Sequence, residues 1–203
     1  MYEVSLAFAT PASFKRAECS LRHGSPTVSS HLLAEIVGRA GRVTAIEIDA
    51  ALAARARESL AAWPQATVAA ADGFTFCPDQ PADAIVVNAG VTHLSLVWLD
   101  ALAEGGRLLV PLTNAEWWGC FVMITRLGRN PDLYRARFAG RVVLIPCVGG
   151  REPAAEERLK AALARGDFTA IRSLRRAPEE PDETCWLAGE GWWLSTAPAA
   201  KPL

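Results

Sequence analysis

Between Arg42 and Leu112, β-branched apolar runs alternate with stretches of strong helix formers, and this alternation constrains the fold more than any other feature. Arg42-Val43-Thr44-Ala45-Ile46-Glu47-Ile48 reads as a strand because β-branched residues dominate it. Asp49 is placed to N-cap a helix over residues 50–63, which Pro64 ends. Residues 66–71 form a short strand of small residues, followed by the turn signal Asp72-Gly73. Asp83-Ala84-Ile85-Val86-Val87-Asn88 is a continuous apolar run, the pattern of a parallel strand covered on both faces. A helix over 94–103 leads through Glu104-Gly105-Gly106 into a second buried strand, Arg107 to Leu112. The order predicts a Rossmann-like, doubly wound α/β fold with a mostly parallel sheet.

The flanks read differently. Residues 1–30 have no clear period and are interrupted by Pro11 and Pro26. From His31 a helix is expected, with Leu32, Leu33, Ile36 and Val37 on one face and Gly38 and Gly41 at its end. Residues 119–126 and 134–146 read as two strands joined by Gly128-Arg129-Asn130-Pro131-Asp132 with no helix between, an antiparallel hairpin closing the sheet edge. An amphipathic helix over 152–165 follows, then a terminal hairpin of residues 171–175 and 186–195. The 203 residues suit one domain, 1–203, of which 1–30 is an atypical N-terminal segment.

Composition narrows the function classes. A net charge of -1 gives no basic field for nucleic acid. No apolar run reaches the roughly 18 residues of a membrane span, and the start lacks the basic region of a signal peptide, so a cytoplasmic chain is expected. The five cysteines form no C-x-x-C pair and none lies beside a His at metal spacing, so they read as buried thiols rather than metal ligands. A monomer is the default expectation.

Ligands of doubly wound sheets sit at the carboxyl ends of the strands. Glu47 stands at the end of the first clear strand, where a carboxylate can accept hydrogen bonds from both hydroxyls of a ribose. Asp72 ends the next strand, in position to receive the exocyclic amine of adenine, and Asn88 ends the third. Alone, Glu47 is also readable as a solvated strand end and Asp72-Gly73 as a common turn. Together the three describe a nucleoside cleft.

Several stretches resemble the protein-L-isoaspartate O-methyltransferase family: Leu33 to Gly38 followed by Gly41 to Asp49, Asp72-Gly73, Ala82 to Gly90, and Leu102 to Leu112. The resemblance implies S-adenosyl-L-methionine as cofactor. By it, Glu47 would hold the ribose, Asp72 and Gly73 would border the adenine, and Asn88 would lie beside the methionine arm. Ala89, Gly90 and Val91 would border the acceptor carboxylate of an isoaspartyl protein or peptide, and the reaction would be protein repair by methyl transfer. Two departures stand out. Of the family's glycine-rich loop only Gly24 remains within Arg22 to Ser30, and Pro26 removes a backbone donor there. No serine-containing substrate segment is evident, Ser13 and Ser20 being unconvincing replacements. The break near His31 is of the kind a frameshift or a wrongly chosen start codon produces.

Three other readings stay open at this level. A short-chain nicotinamide oxidoreductase would share Asn88-Ala89-Gly90, but it needs a Tyr with a Lys four residues on, and Tyr2 and Tyr134 are followed there by Leu6 and Phe138. A degenerate, non-catalytic domain fits the altered loop. A class I methyltransferase with another acceptor would keep most of the same residues. The pairs Trp117-Trp118 and Trp192-Trp193 are expected to place one ring of each inward. His93 is the histidine nearest the cleft, with His23 in the altered loop and His31 on a helix face.

Overall fold

A computed structural model of the chain describes residues 5–10, 26–129 and 132–199. Among the described residues, ten strands form one sheet in the order β3-β2-β1-β4-β5-β6-β7-β8-β10-β9. β2 (Arg42–Glu47), β3 (Ala66–Ala70), β4 (Ala82–Val87) and β5 (Leu102–Thr113) are the alternating unit read from the sequence. β2 pairs parallel with β3, and β4 with β5. Helix α2 (Ala50–Ser59) joins β2 to β3 and α3 (Leu96–Ala101) joins β4 to β5. Asp49 caps α2 as expected, its carboxylate accepting from the Ala51 and Leu52 amides at 2.8 and 3.0 Å.

β1 (Ser5–Thr10) lies between β2 and β4 and runs antiparallel to both. The expected mostly parallel sheet is therefore a mixed one: β2, β3, β4 and β5 run in one direction with β1 threaded through them in the other, and the strands beyond β5 alternate in direction. The backbone groups of this segment are satisfied on both sides, which compensates for its lack of a strand-like sequence pattern.

Helix α1 (Pro26–Val37) starts earlier than the apolar pattern indicates. Pro26 is its first residue, where a missing N–H costs nothing and a fixed φ favours the helix. The buried stripe of α1 is Ser30, Ala34 and Val37, packed on Val43, whereas Leu32 faces solvent. Small side chains let this helix approach the sheet closely.

β6 (Trp118–Arg129) and β7 (Asp132–Val143) extend β5 as long antiparallel neighbours. α4 (Pro153–Arg165) buries Ala155, Leu159, Ala162 and Leu163, and Gly166 closes it in the left-handed region. The C-terminal stretch read as one strand over 186–195 is two, β9 (Cys185–Gly189) and β10 (Trp192–Ser195), folded at Glu190-Gly191. β10 also pairs with β8 (Ser173–Arg176), which follows a single 3-10 turn at Phe168–Ala170. Both faces of β10 are covered, so Trp192 and Trp193 are buried together. Trp117, in the β5–β6 turn, and Trp118, the first residue of β6, are both exposed. Neither pair divides one ring in and one out.

The main core packs Trp98, Leu99 and Leu102 with Leu108, Val110, Leu112, Val122 and Ile124 of the central strands, and with Leu159 of α4. It lies directly beneath the carboxyl ends of β4 and β5, which makes that edge a rigid platform.

Candidate functional site

Glu47 ends β2 with only 3% of its surface exposed. A buried carboxylate requires hydrogen-bond donors, and the Asp49 amide donates to its Oε1 at 3.0 Å. The Glu47 carbonyl accepts from the Ala71 amide at 3.0 Å, which fixes the start of the loop after β3. Asp72, the next residue, turns the chain by accepting the Phe74 amide on its side chain at 2.9 Å and the Phe76 amide on its carbonyl at 3.0 Å. The Gly73 carbonyl receives the Trp98 indole N–H at 2.8 Å, tying this loop to α3. Asn88 follows β4 and is half-buried. Since β2, β3 and β4 run the same way, these three residues stand at one edge of the sheet.

Ala89, Gly90 and Val91 are buried at the same edge, beneath the segment that follows β7. The Gly90 amide donates to the Ile145 carbonyl at 2.7 Å, and its carbonyl accepts from the Cys147 amide at 2.9 Å. Val91 pairs with Leu112, exchanging backbone bonds with Pro111 and Thr113 at 3.0 Å. A Cβ on Gly90 would lie 2.0 Å from the Thr113 hydroxyl oxygen, and Thr113 itself is fully buried, so only glycine fits. Gly90→Ala is expected to cost about 2 kcal/mol by overpacking, read as a lowered midpoint of urea unfolding. A variant as stable as the parent would show that Thr113 moves aside freely.

The segment after β7 is the part of this edge that the sequence reading did not identify. The expected strand over residues 134–146 stops short, since β7 ends at Val143. Residues 144–152 then cross the ends of β4 and β5 as an irregular strap. Gly149, at φ +86, lies so close to Asp72 that a Cβ there would be 3.5 Å from both carboxylate oxygens. Burial pushes the Cys147 thiol up to about 11, and the Asp72 and Glu47 carboxylates act in the same direction. Cys147 is therefore an inert thiol within electrostatic reach of both. The Gly149-Gly150 pair after Pro146 was the available signal for this strap.

His93 is occupied locally. Its Nδ1 pairs with the Thr92 hydroxyl at 3.1 Å, its Nε2 lies 3.3 Å from Glu152, and its ring packs on Phe74. Burial holds its pKa below the usual imidazole value, outweighing the nearby Glu152 carboxylate. Gly24, His23, Ser13 and Ser20 lie outside the described residues. An open groove of about 960 Å³ at the opposite edge, lined by Arg42, Thr44, Gln65 and Thr67, contains none of Glu47, Asp72 or Asn88. No described helix is long and apolar enough to cross a membrane.

The arrangement can accept hydrogen bonds from a diol at Glu47 and from an amine at Asp72, above a buried, packed floor. The chain is 31% identical over 121 residues to a protein-L-isoaspartate O-methyltransferase of Methanothermobacter thermautotrophicus, covering 58% of this chain and 55% of that protein. It is 42% identical over 89 residues to protein-L-isoaspartate O-methyltransferase 1 of Syntrophobacter fumaroxidans, covering 42% of each. The chain thus spans about half the length of the curated relatives it matches. A solved protein-L-isoaspartate O-methyltransferase superposes with a TM-score of 0.54 at 16% identity, over 85% of this chain and 61% of that one, a likeness of fold. The model of the protein-L-isoaspartate(D-aspartate) O-methyltransferase family matches residues 23–152, more than half of the 203, and the chain belongs to that family.

Proposed function

We propose that this chain binds S-adenosyl-L-methionine at the Glu47–Asp72–Asn88 edge and transfers its methyl group to the carboxylate of an isoaspartyl residue in a protein or peptide. The observation that carries the reading is the buried Glu47 carboxylate at the end of β2, one strand from Asp72, in a member of this family. Glu47 would hold the ribose hydroxyls, Asp72 with Gly73 would border the adenine, and Asn88 would lie beside the methionine arm. The cofactor supplies a methyl group activated by its sulfonium.

A carboxylate acceptor is already nucleophilic, so this chain need not remove a proton. Its task is to align two ligands and keep water away. Ala89, Gly90 and Val91, whose backbone groups are taken up by the strap and β5, would serve as a rigid floor for the acceptor.

One observation favours a second reading, a domain that keeps the fold without catalysis. Because β1 is antiparallel, its carboxyl end, Thr10, pairs with Arg42 at the edge opposite Glu47. A parallel strand there would deliver its following turn to the cofactor. Titration with S-adenosylhomocysteine separates the two readings. At a hundredfold excess over Kd the ligand is expected to stabilise the fold by about 2.7 kcal/mol. Methyl transfer to an isoaspartyl peptide should accompany it. A melting temperature that stays flat across S-adenosylmethionine and S-adenosylhomocysteine would refute the methyltransferase reading. Binding without transfer to the isoaspartyl peptide would leave another acceptor.

A further inference from the structure

The strap over residues 144–152 has no ladder of its own, so its place must be set by a few contacts. Its first half is held by the Gly90 backbone. Its second half is held at Thr92, whose amide donates to the Gly150 carbonyl at 3.1 Å and whose hydroxyl accepts from the Glu152 amide at 3.1 Å. Between them stands Arg151. One guanidinium nitrogen donates to the Gly90 carbonyl at 3.2 Å and to the Thr113 hydroxyl at 3.3 Å. The other pairs with the Glu156 carboxylate. The second Glu156 oxygen accepts from the Ala115 amide at 2.5 Å, in the turn after β5.

The Arg151 and Glu156 side chains are only 20% and 17% exposed. Screening is weaker for such a pair than on an open surface, and the loss of either partner strands a charge. Three acceptors around one planar fork also suit Arg and not Lys, whose ammonium cannot present two donors in a fixed plane. Arg151 thus joins the ends of β4 and β5 to the start of α4. The side chain two residues before it in the strap is absent at Gly149, which lies against Asp72.

Resting on the nucleoside reading above, we propose that Arg151 and Glu156 are positioning residues for cofactor binding. They hold the strap so that Gly149 forms the wall of the nucleoside site beside Asp72. Neither needs to touch the ligand. Without the pair, the strap is left with its bonds to Gly90 and Thr92 alone and is displaced most of the time, breaking the Thr92–Gly150 bond as it opens, and apparent affinity falls by the fraction of closed chains.

The test combines hydrogen exchange in the ligand-free chain with titration by S-adenosylhomocysteine. In Arg151→Met, exchange of the Thr92 amide is expected to speed up about a hundredfold while that of Ile46, in β2, stays as in the parent. Kd should rise about tenfold, which corresponds to a strap closed about a tenth of the time. Arg151→Lys is expected to recover part of both effects, and Glu156→Gln to reproduce both more weakly. These two variants serve if Arg151→Met does not fold. Unchanged Thr92 exchange would overturn the proposal, as would faster exchange with Kd within twofold of the parent. A parent chain that binds no S-adenosylhomocysteine would remove the cofactor reading instead. Thr92 exchange would then decide by itself whether Arg151 holds the strap.

Discussion

Glu47→Ala is expected to weaken binding of S-adenosylhomocysteine by about 2.8 kcal/mol, roughly 100-fold in Kd. The size follows from burial. A carboxylate with 3% exposure meets a ribose diol with little competing water, so each charge-assisted hydrogen bond counts for more than on an open surface. Isothermal titration measures the loss directly. The ligand-free fold should change by only about 1 kcal/mol. The substitution frees the Asp49 amide of its acceptor but also removes the cost of burying a charge. Glu47→Gln keeps an acceptor oxygen without the charge and should fall between parent and Ala variant. A Glu47→Ala chain that binds within threefold of the parent would place the ribose elsewhere.

The largest effect on stability is expected far from that edge, at Arg126. This side chain is buried on β6 and donates to the carbonyls of Leu99, Asp100 and Leu102 at 3.1, 3.3 and 3.1 Å. It also pairs with Asp132 and lies over the Tyr134 ring. The three carbonyls are those of the last turn of α3 and of its C-cap, Leu102, and α3 is a helix of six residues that cannot stand without help. A cation there satisfies orphan acceptors and complements the helix dipole. Arg126→Met preserves much of the volume and none of the donors. It should cost about 3 kcal/mol, because removing the guanidinium leaves a buried set of carbonyl acceptors unsatisfied, although Asp132 keeps its pairing with Arg176. With a urea slope of roughly 2 kcal/mol/M, the midpoint would drop by about 1.5 M. Arg129, which also donates to Leu102, keeps the loss from being larger. A drop under 0.5 M would mean that α3 is held by Trp98 and Leu99 packing alone.

The parts of this molecule that could be read from its sequence are those built from contacts near in sequence. β4 and β5 announce themselves through unbroken apolar runs, and Asp49 caps α2 through amides two and three residues away. Glu47, Asp72 and Asn88 followed because a legible strand has a legible end. The strap was not readable for the opposite reason. Arg151 meets Gly90 across 61 residues and Glu156 meets Ala115 across 41, and no local pattern encodes either meeting. Pro26 misled in a different way. Inside a loop or helix it is a breaker, but at the first helical position it is a starter, and only the position of α1 decides which. β1 escaped because a central strand with both edges paired can be held by backbone bonding rather than by a telling choice of side chains.

The interlock between Gly90 and Thr113 carries a consequence for how such a chain can drift. The space a Gly90 side chain would need is the space the Thr113 hydroxyl fills, and that hydroxyl is also an acceptor for Arg151. Changes at the two positions therefore cannot be taken in either order. A lineage that first trimmed Thr113 could afterwards accept Ala at 90, having already weakened its hold on Arg151. A lineage that began at 90 would pass through the overpacked form. The two orders lead to the same pair of residues by routes of unequal fitness, so the shape of one buried hydroxyl makes the history of this edge directional.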